Sequence, residues 1–369
     1  MAKQEIKSLT GLRGIAAVIV MFYHFNLAHA LTSHSATIMG HGYLMVDLFF
    51  VLSGFVISMT YGEWFANSID RKAFLKYVFR RIARIYPLYF FMICTASILV
   101  ATGWMDRWPG PAVIVSALIN FSMLQTLLGV PTLNTPGWSV SAEWVASILF
   151  PFISFLFHRY GWKLILLFFV VSILAYPFIA IAPELIHEPK RSGIMDIWHY
   201  ETIYPVIRAV AGFIVGMVLF NISKLDIVMK IIMAPGLSLC MLLFIIFSMT
   251  FKNADFIIIA LFPIFVLSLV NEKSLVGRLM SSKLIYRLGV LSYSIYLIHN
   301  QLNYFMLVIK SHILSEGINE QGATILSCIL FALITILLSE ITFRYVEKPA
   351  RDYLRKMQLF TPREPSAAK

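Results

Sequence analysis

Apolar residues fill this chain in long runs, and polar residues collect in the short stretches between them. A helix that crosses the hydrocarbon core of a bilayer needs about 20 such residues. Runs of that order recur near 9–27, 41–61, 86–103, 138–157, 163–181, 205–221, 227–249, 255–270, 288–310 and 323–345. An eleventh, 111–128, is weakened by Asn120, Ser122 and Gln125. No segment repeats at a period of 20–50 residues, and no stretch reads as a soluble domain. The pattern predicts an all-α, polytopic transmembrane helical bundle.

Composition agrees. Of 369 residues, 59% are hydrophobic and 13% charged, whereas a soluble domain carries about 25% charge. Lys and Arg outnumber Asp and Glu by 30 to 19. The excess lies between apolar runs, where the positive-inside rule accounts for it, and no basic stripe interleaved with aromatics points to nucleic acid. Cys94, Cys240 and Cys328 all fall inside apolar runs, without disulfide or zinc spacing. Lys3, Lys7 and Arg13 before an apolar stretch that ends "AHA" imitate a signal peptide. Its bulky residues suit a retained first span better.

Charge also orients the spans. "DRKAFLKYVFRRIAR" (70–84), "NEKSLVGRLMSSKLIYR" (271–287) and "EKPARDYLRK" (347–356) are basic and predict cytoplasmic segments. Both termini are then cytoplasmic, and the number of crossings is even. Ten crossings follow if 111–128 is a re-entrant or interfacial helix that turns at "GVPTLNTPG". Residues 1–350 form the membrane domain, and 351–369 read as a disordered tail.

Ionisable groups inside these runs are costly and mark function. In "TGLRGIAAVIVMFYHF" (10–25), Arg13 and His24 stand eleven residues apart. That is about 16 Å of rise and within about 20° of the same direction, so both share one helical face. Asp47 lies in the second run, and Arg81 and Arg84 share a face beside Arg80 at the start of the third. Trp138, Ser139, Ser141 and Glu143 open the span after the 111–128 run, and "LSYSIYLIHN" carries Ser292, Tyr296, His299 and Asn300. His34 and His41, seven apart in a loop, read as hydrated surface rather than a metal site.

The order of these motifs resembles the acyltransferase-3 family of bacterial membrane acyltransferases, across residues 8–351. Arg13 and His24 match its arginine–ten residues–histidine motif, and Arg81 and Arg84 its Arg-x-x-Arg. "DLFFVLSGF" (47–55) and Trp138-Ser139-x-x-x-Glu143 match two more of its stretches. Some members carry an SGNH-type hydrolase domain after the membrane part, for which 351–369 is too short. The resemblance implies transfer of an acyl group, acetyl above all, from cytoplasmic acyl-CoA to a hydroxyl of a cell-surface or exported carbohydrate. It places the chain in a bacterial inner membrane.

Such a transfer needs a base for the hydroxyl proton and a donor for the developing oxyanion. His24 is the expected base, because imidazole accepts protons near neutral pH. Arg13 is expected to hold the donor's carbonyl or pantetheine region, or to orient His24 through Asp47. Arg81 and Arg84, with Arg80, are candidates for the phosphates of coenzyme A. Glu143 would hold acceptor hydroxyls or assist His24, and Trp138 would stack on a sugar face. Ser139 and Ser141 read as helix caps or acyl carriers, and Tyr296 and His299 as core hydrogen-bonding groups near the acceptor. No metal is required, since a thioester is already activated. Two alternatives remain: acylation of a small metabolite such as a macrolide sugar, and a secondary transporter with Arg13, Asp47 and Glu143 as relay sites. The absence of a second Arg-to-His helix in 190–345 counts against a transporter built of repeats.

Overall fold

A computed structural model describes residues 5–29, 39–104, 113–182, 193–197 and 201–357. Helices α1 (Lys7–His29), α2 (Met45–Tyr61) and α3 (Arg71–Ala101) come first, then the short α4 (Val113–Phe121), α5 (Gly137–Tyr160) and α6 (Trp162–Ala180). They are followed by α7 (Tyr204–Ile222), α8 (Asp226–Ile232), α9 (Leu237–Ser248), α10 (Asp255–Ser268) and α11 (Leu275–Met280). The long α12 (Lys283–Ser315) and α13 (Glu320–Thr342) lead through a π turn, Phe343–Glu347, into α14 (Lys348–Lys356). Among the described residues there is no strand.

Seven described helical segments are long and apolar enough to cross a membrane, or eight if one bent pair is a single span. The expected ten therefore need qualification, and each difference has a physical cause. The 227–249 run is α8 and α9, bent by 70° at Pro235-Gly236, where proline removes a helix donor. Helix α10 has 14 residues, about 21 Å, which falls short of a hydrocarbon core of about 30 Å. Helix α12 has 33 residues, but its buried Ser292, Ser294, His299, Asn300, Gln301 and Asn303 make it too polar to read as a lipid-facing rod. Helix α4, nine residues long, cannot cross on its own.

Two further differences matter for the site. The basic stretch 70–84 is no loop: Asp70 caps α3 by accepting from the Ala73 N–H at 3.0 Å. The helix then runs unbroken from Arg71 into the apolar run, which carries Arg81 and Arg84 up into the bundle. The tail begins as helix, since α14 extends to Lys356, and 358–369 lie outside the described residues.

Close backbone approach organises the interior. Helix α1 packs along α12, and α2 along α7. A β-carbon on Gly14 would stand 2.4 Å from the Gly289 nitrogen, and one on Gly289 2.0 Å from the Thr10 carbonyl oxygen. On the second pair, a β-carbon on Gly54 would meet the Phe213 carbonyl oxygen at 1.9 Å. Small residues let transmembrane helices come this close. The first contact sets Arg13 and His24 against α12, and the second sets Asp47 against α7.

Replacing Gly14 by Val is therefore expected to separate α1 from α12 and lower stability by about 1–3 kcal/mol, the usual cost of overpacking. Gly62→Ala is the control, because nothing lies within 4 Å of its added carbon. Thermal unfolding in detergent should show a lower midpoint for the first variant and none for the second.

Candidate active site

Between α1, α2, α5 and α12 lies a cavity of about 50 Å³, lined by Arg13, Ser53, Ser139, Glu143, Ser292 and Tyr296 among others. A water needs about 10–15 Å³ of such space, so the cavity takes a few waters or one acetyl-sized group. A larger cavity of about 620 Å³ between α6, α7 and α10 is almost entirely apolar. It offers no set of groups for moving a proton, whereas the smaller one is lined by ionisable and hydroxyl side chains.

Charge converges on this cavity. The Arg81 Nη2 donates to Glu143 Oε1 at 2.8 Å, and the Ser53 hydroxyl donates to the same oxygen at 2.5 Å. Arg81 also reaches the Ser147 hydroxyl at 3.3 Å. Arg13 lies within electrostatic range of Glu143, Arg81 and Glu347, and Arg84 within range of Arg13, Arg81, Glu347 and Arg351. Among the described residues, neither Arg13 nor Arg84 has a hydrogen-bond partner. Glu347, on the π turn, is 4% exposed and accepts from the Ser294 hydroxyl at 3.2 Å. Four guanidiniums thus gather around Glu143 and Glu347, with Glu5 in range of Arg13 and Asp352 3.9 Å from Arg351.

The pairing of Arg81 with Glu143 corrects an expectation. The arginines end a segment expected to be cytoplasmic and Glu143 opens the span that follows the re-entrant run, at the opposite end of the bundle, yet the two side chains meet. Arg81 stands ten residues into α3, about 15 Å along it, and Glu143 six residues into α5. Climbing from opposite ends, they reach the same depth.

Three turns beyond Arg13 on the same face of α1, His24 meets α12. The His299 Nε2 lies 3.1 Å from His24 Nδ1, and His299 is fully buried. His24 Nδ1 is also 3.1 Å from the Val20 carbonyl oxygen, and His299 Nδ1 3.1 Å from that of Ile295. Asn303 donates to the His24 carbonyl at 3.0 Å. The Tyr296 hydroxyl, 2.7 Å from that of Ser139, connects this pair to the cavity, its ring 5.9 Å from the His299 ring. His24 and Arg84 themselves do not line the cavity.

Other expected site residues stand elsewhere. Asp47 does not orient His24: it accepts from Arg208 Nε at 2.8 Å and from Arg208 Nη2, and both side chains are fully buried. Trp138 is 6% exposed against Val46, Phe50 and Val206, so its ring has no face for a sugar. The Ser141 hydroxyl donates to the Met123 carbonyl at 2.9 Å and ties down the loop before α5. Arg80 diverges from Arg81 by about 100° around the helix, and its guanidinium lies over the Trp64 ring at 5.0 Å. Ser139 does not cap α5; it bonds to Tyr296. His34 lies outside the described residues.

Residues 6–343 match the model of a family described as an acyltransferase domain. The chain belongs to the acyltransferase-3 family. It is 26% identical to O-acetyltransferase OatA of Staphylococcus aureus strain MRSA252 over 383 residues, 98% of this chain and 60% of that one. It is 31% identical to acyltransferase MdmB of Streptomyces mycarofaciens over 156 residues, 40% of this chain and 38% of the relative. It is also 31% identical to protein 2 in picA locus of Rhizobium radiobacter over 159 residues, 38% of this chain and 78% of that protein. The chain spans about three-fifths of the length of the O-acetyltransferase relatives it matches. No solved structure matches it.

In this acyltransferase-family chain, sequence reading missed Arg208, Ser53 and Glu347. Arg208 carried a usable signal: a lone arginine in an apolar run requires a partner in another, and Asp47 was available.

Breaking that buried pair from one side strands a charge, which costs about 3–5 kcal/mol. Arg208→Met is expected to lose that much stability, and the double variant Arg208→Met/Asp47→Leu to recover most of it. Thermal midpoints of the three proteins in one detergent check this.

Proposed function

We propose that the chain is an integral-membrane O-acyltransferase that moves an acetyl group from acetyl-CoA to a hydroxyl of a cell-surface or exported carbohydrate. One observation carries the reading: Arg13 and Arg84, two mostly buried guanidiniums without hydrogen-bond partners among the described residues, lie on the approach to an imidazole pair. Buried cations left open in this way fit an anion that arrives with the substrate. Arg13 and Arg84, neither bonded to a carboxylate among the described residues, offer two positive charges to the pyrophosphate of coenzyme A. His24 stands about 16 Å beyond Arg13 along α1, so the donor needs a long, flexible arm between phosphate and thioester. Coenzyme A has that arm, and the small cavity on its path suits acetyl over a long chain. The O-acetyltransferase name of the relatives supports the same acyl group.

In the transfer, His24 takes the proton of the acceptor hydroxyl as that oxygen attacks the thioester carbonyl. The new C–O bond forms, the C–S bond breaks, and the proton passes to the leaving thiolate. The Tyr296 hydroxyl, which lines the cavity and whose ring lies 5.9 Å from that of His299, is placed to donate to the developing oxyanion. Glu143, fixed by Ser53 and Arg81, offers an acceptor for a sugar hydroxyl. With both termini in the cytoplasm of a bacterial cell, the arginines face the pool of acyl-CoA and His24 faces the acceptor side.

Membranes containing the protein, given acetyl-CoA labelled in the acetyl group, are expected to accumulate alkali-labile label in glycan. His24→Ala should abolish it, and Arg84→Ala should raise the KM for acetyl-CoA about tenfold or more, the loss of one charge-assisted contact. Wild-type membranes that transfer no label, with the protein folded, would sink the proposal.

A further inference from the structure

The contact between His24 and His299 assigns a tautomer. His299 Nδ1 faces the Ile295 carbonyl oxygen at 3.1 Å, and an oxygen without a proton requires Nδ1 to carry one. In the neutral ring, Nε2 of His299 is then a bare acceptor. Its neighbour at 3.1 Å is Nδ1 of His24, which also faces the Val20 carbonyl oxygen at 3.1 Å. Two acceptors converge on that nitrogen, and both require a proton there. The lone pair of neutral His24 is therefore on Nε2.

We infer that His299 is a positioning residue for the transfer reaction: by accepting from His24 Nδ1–H it fixes the proton on that nitrogen and holds Nε2 as the basic atom. This rests on the reading of His24 as the base. The rest of α12 supports it. Asn303 donates through its amide nitrogen to the His24 carbonyl at 3.0 Å and accepts from His29 Nε2–H through its amide oxygen at 3.0 Å. The ring of His299 is buried and packed against Tyr296, so it cannot swing away from its partner. The Val20 carbonyl does not suffice alone, since it also serves the helix ladder of α1. When the acceptor proton arrives on His24 Nε2, the ring becomes an imidazolium, and the Nδ1–H···Nε2 bond to His299 becomes charge-assisted and stronger. A partner that gains strength as the charge develops accelerates the step instead of merely supporting the fold.

The experiment has two arms. Nitrogen-15 spectra of wild-type protein labelled at histidine, with His24→Gln to assign its signals, are expected to show His24 protonated on Nδ1 and bare on Nε2. A proton on Nε2 overturns the inference, whatever the enzyme's activity. In membranes given labelled acetyl-CoA, His299→Phe is expected to lower kcat about tenfold or more with KM for acetyl-CoA within twofold. His299→Gln, whose amide oxygen can accept from His24, should recover part of the rate. A Phe variant with unchanged kcat, or a Gln variant no better than Phe at equal folded amount, rejects the role. If wild-type membranes transfer no acetyl at all, the reading of the function fails, while the tautomer is still decided by the spectra.

Discussion

A guanidinium inside a membrane bundle must meet an anion or a ring of acceptors, and the layout of this protein follows from how each arginine meets that demand. Arg208 meets it completely: Asp47 takes its Nε and Nη2, and the Met195 carbonyl takes Nη1 at 2.8 Å. Met195 is itself held, its N–H donating to Asp255 at 2.6 Å. Asp255 also accepts from the Tyr43 hydroxyl at 2.9 Å. The result is a closed polar core in which α2, α7 and α10 fix one another. Such a core is sensitive to the loss of any member.

Arg13, Arg81 and Arg84 meet the same demand incompletely. Glu143 is divided between Arg81 and Ser53, and Glu347 between Ser294 and Arg351 at 3.5 Å. The two carboxylates lower the cost of gathering the cations but do not saturate them. A bundle that only needed stability would have completed these pairs as it completed Arg208. Leaving them open is tolerable because α1 and α12, pressed together at Gly14 and Gly289, do not depend on them for their packing.

Much of this was legible in the residues. The apolar runs marked α1, α2, α5, α6, α7 and α13, and the eleven-residue spacing put Arg13 and His24 on one face. What periodicity cannot report is partnership between distant spans. Asp47 and Arg208 are 161 residues apart and His24 and His299 are 275 apart, so a local pattern assigned Asp47 to the wrong partner and left His299 as ordinary core. The basic stretch 70–84 misled for a different reason. Positive charge next to an apolar run looks like a loop, whether it stops at the interface or continues as helix into the bundle. The cap at Asp70 was the available signal, an aspartate three residues before Ala73 at the head of a helix-forming stretch.

Division of labour between two helix pairs follows from these contacts. The α2–α7 pair, closed by Asp47 and Arg208, is the rigid wall. The α1–α12 pair carries the histidines and one of the open arginines, and α3 and α5 bring Arg81, Arg84 and Glu143 to it from opposite ends. Helix α12 bears a cost in hydropathy for this role, because its buried polar side chains make it a poor membrane span in isolation. That cost is compensated by position. Surrounded by α1, α3, α11 and α13, it presents its polar face to protein, and the residues that weaken it as a span, His299 and Tyr296 foremost, are those that tie the cavity to His24.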